Sequence, residues 1–139
     1  MYSKFGQFID GQWQQAEKQE TYDVINPATE EVIGQASKSS SSDVDKALRS
    51  SENGFQSWKN KPAWERAKII RKIADLIRDR SEELAHWMTL EVGKPYADAI
   101  AEVNASADIF EWNSEETKRI YGQTVESRFE NTRVLINYQ

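Results

Sequence analysis

With one histidine, His86, and no cysteine in 139 residues, chemistry built on an imidazole or a thiol has a single candidate. Without cysteine, disulfides, thiolate zinc sites and a cysteine nucleophile are excluded from this segment. A Ser/His/Asp hydrolase would have to use His86. That residue lies beside Trp87 and Met88 in a helical stretch and reads as a surface or packing histidine. The paired carboxylates Glu30-Glu31, Glu82-Glu83 and Glu115-Glu116 are sequential neighbours, so neither pairing rule of a helix face, i,i+3 or i,i+4, applies to them. They read as solvated surface. Neither G-x-G-x-x-G, G-x-x-x-x-G-K-[ST] nor H-E-x-x-H occurs, so phosphate cradles and zincin sites have no place here. The expectation is therefore no catalytic, no cofactor-binding and no metal-ligating residue.

One cluster imitates a nucleic-acid surface. Lys59, Lys61, Arg66, Lys68, Arg71, Lys72, Arg78 and Arg80 gather around Trp58 and Trp64. Glu65, Asp75 and Asp79 interrupt it, with Arg71 and Asp75 at i,i+4 and Asp75 and Arg78 at i,i+3. Such a mixed face suits helix solubility. The net charge of −5 points the same way, away from a polyanionic partner.

These residues must be positioned by a short list of elements. Phe8-Ile9-Asp10-Gly11-Gln12-Trp13 predicts a hairpin, because Asp-Gly tolerates the positive φ of a type I′ turn. Thr21–Ile25 and Glu31–Ala36 predict a second hairpin around Asn26-Pro27-Ala28-Thr29, so that hairpins occupy residues 5–36. Helices are expected over 42–59, opened by Ser42 as N-cap, over 62–93 with a break at Asp79-Arg80-Ser81, and over 96–121. Pro62 suits a first turn, and Gly93-Lys94-Pro95 is a helix stop. Val44, Ala47, Leu48, Ser51, Phe55 and Trp58 share the face of the first helix. The next carries Ala63, Ala67, Ile70, Ile73, Ala74 and Ile77, continued by Leu84, Met88 and Val92. Ile100, Val103, Ala107, Phe110 and Ser114 line the last. Ile70, Ile73, Ile77, Leu84, Phe55 and Phe110 are expected to be mostly buried. The tail, 131–139, reads as a strand with no partner in view, whose neighbours lie on further sequence or on another chain.

Composition sets the frame for this helix-rich α+β reading. Fifteen aromatic residues (five each of Trp, Tyr and Phe) argue against disorder, although 38% hydrophobic residues make a thin core supply. Met1–Glu20 has no apolar run like a signal peptide, and no run of eighteen apolar residues occurs. A cytoplasmic protein with no membrane or nucleic-acid partner is expected. From the residues alone, a stand-alone helical interaction module or a truncated relic remains open.

Taken in order, the motifs resemble the start of the aldehyde dehydrogenase superfamily. Phe8–Trp13 is similar to that family's opening hairpin, and Val24-Ile25-Asn26-Pro27-Ala28-Thr29-Glu30-Glu31-Val32-Ile33 to its second. The similarity continues through Asp43–Ala47, Phe55-x-x-Trp58, Glu65–Ile77, Thr89–Pro95, Glu102-Val103, Phe110-Glu111-Trp112 and Lys118–Gly122. The last two runs look most like succinate-semialdehyde dehydrogenases, with lactaldehyde or glycolaldehyde dehydrogenases close behind.

The resemblance implies an α/β parent with an NAD(P)-binding domain, a catalytic domain with a nucleophilic cysteine, and a sheet used for oligomerisation. Residues 1–122 would be the N-terminal part of the NAD(P)-binding domain and 123–139 the start of the oligomerisation sheet, with the catalytic domain absent. The parent would use NAD or NADP to oxidise an aldehyde, by thiolate attack, hydride transfer and thioester hydrolysis. It would assemble as a homo-oligomer through the strand at 131–139. The fragment alone is expected to be inactive and to bind no dinucleotide. Some members place a monovalent cation where Val24, Ile25 and Glu102 fall; no metal position is carried over.

Overall fold

In the computed structural model, which describes residues 6–138, Asp10 and Gly11 take φ of 56° and 74° and close the first hairpin. The hairpin joins β1 (Gln7–Ile9) to β2 (Gln12–Gln14), and the cross-strand pair Phe8–Trp13 brings the two rings to 5.3 Å. The second hairpin pairs β3 (Thr21–Ile25) with β4 (Val32–Ser37), with an irregularity between Val24 and Ile25. Its turn holds itself: the Ala28 N–H donates to Asn26 Oδ1 at 2.9 Å, and the Glu30 N–H to the Asn26 carbonyl at 2.8 Å. The expected start at residue 5 and the tail's end at 139 lie outside the described residues.

Four helices follow, α1 (Ser41–Lys59), α2 (Ala63–Asp79), α3 (Ser81–Val92) and α4 (Tyr96–Glu116). The N-cap of α1 is Ser40, not Ser42. Each of these serines has an aspartate three residues on, so local capping chemistry leaves both registers open. The long-range partner chooses: the Glu17 N–H, in the connection after β2, donates to both Asp43 carboxylate oxygens at 3.2 Å. The Ser40 N–H and hydroxyl reach the same group at 2.9 Å. Asp43 is thereby buried.

Gly93 ends α3 with a φ of 74°, and a Cβ there would stand 2.9 Å from the Pro27 ring. The second hairpin's turn therefore rests on the end of α3. The break between α2 and α3 falls at Arg80, as the sequence indicates.

Helix α4 is the centre of the helical layer, packed along α2 on one side and α3 on the other. Where helices cross, the buried residues are small: Ala67 and Ala74 of α2, Ala85 of α3, and Ala99, Val103, Ala107 and Ser114 of α4. Small side chains let backbones approach, and the larger ones flank the crossing half covered. This corrects the expected core. Ile73 is 37% exposed, Phe110 38% and Phe55 57%, while Ile70, Ile77 and Leu84 are only half-buried. The α4 stripe is rotated toward Ala99, because small residues, not large ones, mark the line of contact. The apolar face of α1 (Val44, Leu48, Phe55) is uncovered among the described residues.

Two further corrections concern the C-terminal third. Helix α4 stops at Glu116 and passes through a 3-10 turn, Thr117–Arg119, rather than running to Tyr121. The Thr117 hydroxyl donates to the Asn113 carbonyl at 2.8 Å, and Gly122 lies so close to the Ile136 carbonyl that a Cβ would come within 2.5 Å of it. The tail strand also has a partner in the chain: β6 (Arg133–Ile136) pairs antiparallel with β5 (Gln123–Glu126), Gln123 opposite Ile136 and Glu126 opposite Arg133. With a single apolar residue, Val125, β5 shows no alternation for a pattern to reveal. Both strands are exposed along their length.

Candidate functional site

The residues that could have done chemistry are held apart. His86 is exposed on α3, its ring edge-on to Trp87 at 5.7 Å. Of the carboxylate pairs, Glu83 meets Arg80 at 2.9 Å, Glu115 meets Lys118 at 2.8 Å, and Glu116 meets Arg119 at 2.8 Å. Hydrogen bonding to Arg80 holds the Glu83 carboxyl below its ordinary value, and Lys118 does the same for Glu115. Carboxylates stabilised in this way as anions are poor general acids near neutrality.

Two arginines of the basic cluster are likewise spent on the fold. Arg71 reaches Asp75 at 3.6 Å and Glu111 at 2.9 Å, while Arg78 reaches Asp108 at 2.7 Å and also Glu111. These contacts strap α2 to α4. Hydrogen bonding to Asp108, then to Glu111, raises the Arg78 pKa further above its already high ordinary value. Asp75 takes Arg71, whereas Arg78 turns to α4. A cross-helix geometry of this kind is invisible to i,i+3 spacing. Lys118 stands 4.9 Å over the Trp64 ring, so an aromatic of the cluster also has an internal cation.

What the helices do build is a groove of about 550 Å³ between α3 and α4. It is lined by Ile77 of α2, by Leu84, Trp87, Met88 and Val92 of α3, and by Val103 of α4. Sequence reading placed most of these residues on buried stripes. It missed Trp87, whose position three residues after Leu84 is the one signal that could have included it. Among the described residues, no group of three or more His, Cys, Asp and Glu could hold a metal. No described helix is long and apolar enough to cross a membrane.

Against known proteins, the profile of the Aldehyde dehydrogenase family matches residues 13–139. The chain belongs to the aldehyde dehydrogenase family. It is 36% identical over 129 residues to a glutarate-semialdehyde dehydrogenase of Pseudomonas aeruginosa, covering 93% of this chain and 27% of that protein. It is 41% identical over 128 residues to a mitochondrial succinate-semialdehyde dehydrogenase of Oryza sativa subsp. japonica, covering 92% and 24%. The crystal structure of an NAD-dependent aldehyde dehydrogenase from Sinorhizobium meliloti superposes with a TM-score of 0.88 at 32% identity, over 97% of this chain and 28% of that one. The chain thus spans about a quarter of the length of these relatives.

Within this aldehyde dehydrogenase segment, the cofactor the family implies can be tested against the helix ends. A dinucleotide pyrophosphate is held by free N–H groups where a glycine-rich turn opens a helix. Here the first turn of α1 is filled by Ser40 and Asp43, α2 and α4 begin behind Pro62 and Pro95, and α3 follows Arg80. Among the described residues, no helix opens behind a glycine-rich turn of that kind. At the suggested cation position, the Glu102 carboxylate is engaged by the Lys94 ammonium, Val24 is half-buried and Ile25 is exposed.

Proposed function

We propose that this chain is the N-terminal segment of an NAD(P)-dependent aldehyde dehydrogenase that oxidises a small semialdehyde, succinate semialdehyde, to the carboxylate. The observation that carries the reading is the match to the family over residues 13–139, joined to relatives named as succinate- and glutarate-semialdehyde dehydrogenases. Residues 1–122 open the NAD(P)-binding domain and 123–139 begin the oligomerisation sheet, through which the parent forms a homo-oligomer. Exposed apolar groups on both strands of the β5–β6 hairpin support that role. The segment contributes no catalytic, cofactor-binding or metal residue; its helices and hairpins serve as scaffold. The absence of cysteine here is in keeping with a cytoplasmic parent.

The test is to express the longer protein that carries this segment and assay it with NAD and NADP against a panel of aldehydes. We expect a kcat/KM for succinate semialdehyde roughly tenfold or more above that for unsubstituted aldehydes of similar length, the scale on which one well-placed carboxylate contact discriminates. Oxidation of all aldehydes at equal efficiency would remove the substrate assignment. No oxidation of any would remove the enzymatic one, leaving the stand-alone interaction module that the uncovered apolar groups favour.

A further inference from the structure

We infer that the Asn53-Gly54 step of α1 is a self-modification site, at which the Gly54 backbone nitrogen attacks the Asn53 side chain and converts it through a succinimide to aspartate and isoaspartate. The inference concerns this chain's own residues and is independent of the aldehyde reading.

The chemistry asks for three things. The first is access to the attacking nitrogen. Gly54 carries no Cβ to crowd it, and one placed there would meet nothing within 4 Å. Elsewhere Asn26 precedes Pro27, which has no N–H, Asn131 precedes the β-branched Thr132, and no other asparagine precedes glycine. The second is a free amide. Asn53 is exposed and its side chain makes no hydrogen bond among the described residues, whereas the Asn60 and Asn113 amides each donate to a helix carbonyl at 2.8 Å. The third is a backbone that can leave the helix. Helical ψ holds the Gly54 nitrogen away from Asn53 Cγ, so the reaction runs through local opening of α1. Ser50, Ser51, Asn53 and Gly54 crowd weak helix formers into little more than one turn. Little packing compensates, since α1 rests chiefly on β1 rather than on the other helices and Phe55 is 57% exposed.

The step balances with water as its one co-reactant. The Gly54 nitrogen gives its proton to solvent base and bonds to Asn53 Cγ, and the Cγ–Nδ2 bond breaks with Nδ2 leaving as ammonia. Water then opens the succinimide at either carbonyl. One opening restores the ordinary backbone with aspartate at 53. The other routes the chain through Cβ and adds a backbone atom, which disrupts the ladder bonds donated by residues 54–57. Asn53 lines the cleft between α1 and the first hairpin, where the Ser50 hydroxyl donates to Asp10 at 3.3 Å. Isoaspartate at 53 therefore loosens the helix at the place where that hairpin is seated.

The experiment incubates the 139-residue chain in warm buffer at several pH values and digests it. Mass spectrometry follows each asparagine, with fragmentation that separates aspartate from isoaspartate. Amide-to-acid conversion is expected at Asn53 at least tenfold faster than at any other asparagine, and faster as pH rises because the attacking nitrogen must lose its proton. Gly54→Ala should slow it at least tenfold; Gly54 has no positive φ, so alanine is accommodated. That variant both crowds the nitrogen and strengthens the helix, so Ser51→Ala, which keeps the Asn-Gly step, isolates the second effect. It should slow conversion about twofold, the scale of the serine-to-alanine difference in helix propensity. An unstructured peptide of residues 50–58 should convert faster than the chain. An Asn53 that stays intact while the peptide converts would show that α1 does not open there and would overturn the inference. Conversion as fast at Asn131 as at Asn53 would overturn it too, and a Ser51→Ala chain that reacts like the parent would remove the route through local opening.

Discussion

Asp43 shows how much one side chain can arrange. Its carboxylate accepts from the Ser40 and Glu17 backbones, fixing both the start of α1 and the path of the chain after β2. The Ser40 N–H is the main cause that holds its pKa below the ordinary aspartate value, against the opposing effect of burial. A carboxyl with a folded value below its unfolded one stabilises the fold above the unfolded value, about 3.9 for aspartate, and that contribution is lost as pH falls through the folded value. Asp43→Asn should therefore lower the melting temperature at pH 7 and speed exchange of the Glu17 and Ser40 amides. Once the pH falls below the lowered folded value, the two proteins should converge as the wild-type carboxyl is neutralised. An equal difference at both pH values would mean that charge is irrelevant to the clamp.

At the scale of elements, the decisive feature is the close crossing of α4 with α2 and α3 on small residues. Ala85 is fully buried against Ala99 and Val103. Ala85→Leu should destabilise by about 1–3 kcal/mol through overpacking. Ile73→Ala, at a side chain 37% exposed, should cost less than the 2–5 kcal/mol of a fully enclosed isoleucine. Urea titrations of both variants order the two effects, and a larger loss at Ile73 would show that the helices meet on a different line. The β5–β6 hairpin belongs to the same scale. Its outer edges carry unpaired backbone groups, and Val125, Val134, Leu135 and Ile136 are 39–70% exposed. Edges of this kind recruit matching strands. Removing residues 123–138 should turn a self-associating chain into a monomer whose helices still melt cooperatively, as read by ultracentrifugation and circular dichroism. A full chain that is monomeric at high concentration would deny the hairpin its assembly role.

For the whole molecule, the lack of a thiol and of any glycine-rich turn opening a helix leads to the expectation that the 139-residue chain alone binds no dinucleotide and oxidises no aldehyde. Calorimetry with NAD and with NADP checks this, and saturable binding of either would place a cofactor contact in this segment. Much of the architecture was legible in residue order alone. Asp10-Gly11 specified a turn through its positive φ, Gly93 an αL helix stop, and Arg80 the seam between α2 and α3, because each is a local consequence of backbone sterics. The family was legible from collinear motifs, and the lack of thiol or phosphate loop from composition. Tertiary structure decided the rest, since those choices depend on partners distant in sequence. Glu17 selected Ser40 over Ser42 as N-cap, the Ile136 carbonyl against Gly122 fixed the path after α4, and β5 became a strand by pairing rather than by its own pattern. Above all, hydrophobic size told where apolar surface would lie, but only the meeting of helices showed that alanines would be enclosed and the large side chains left at the margin.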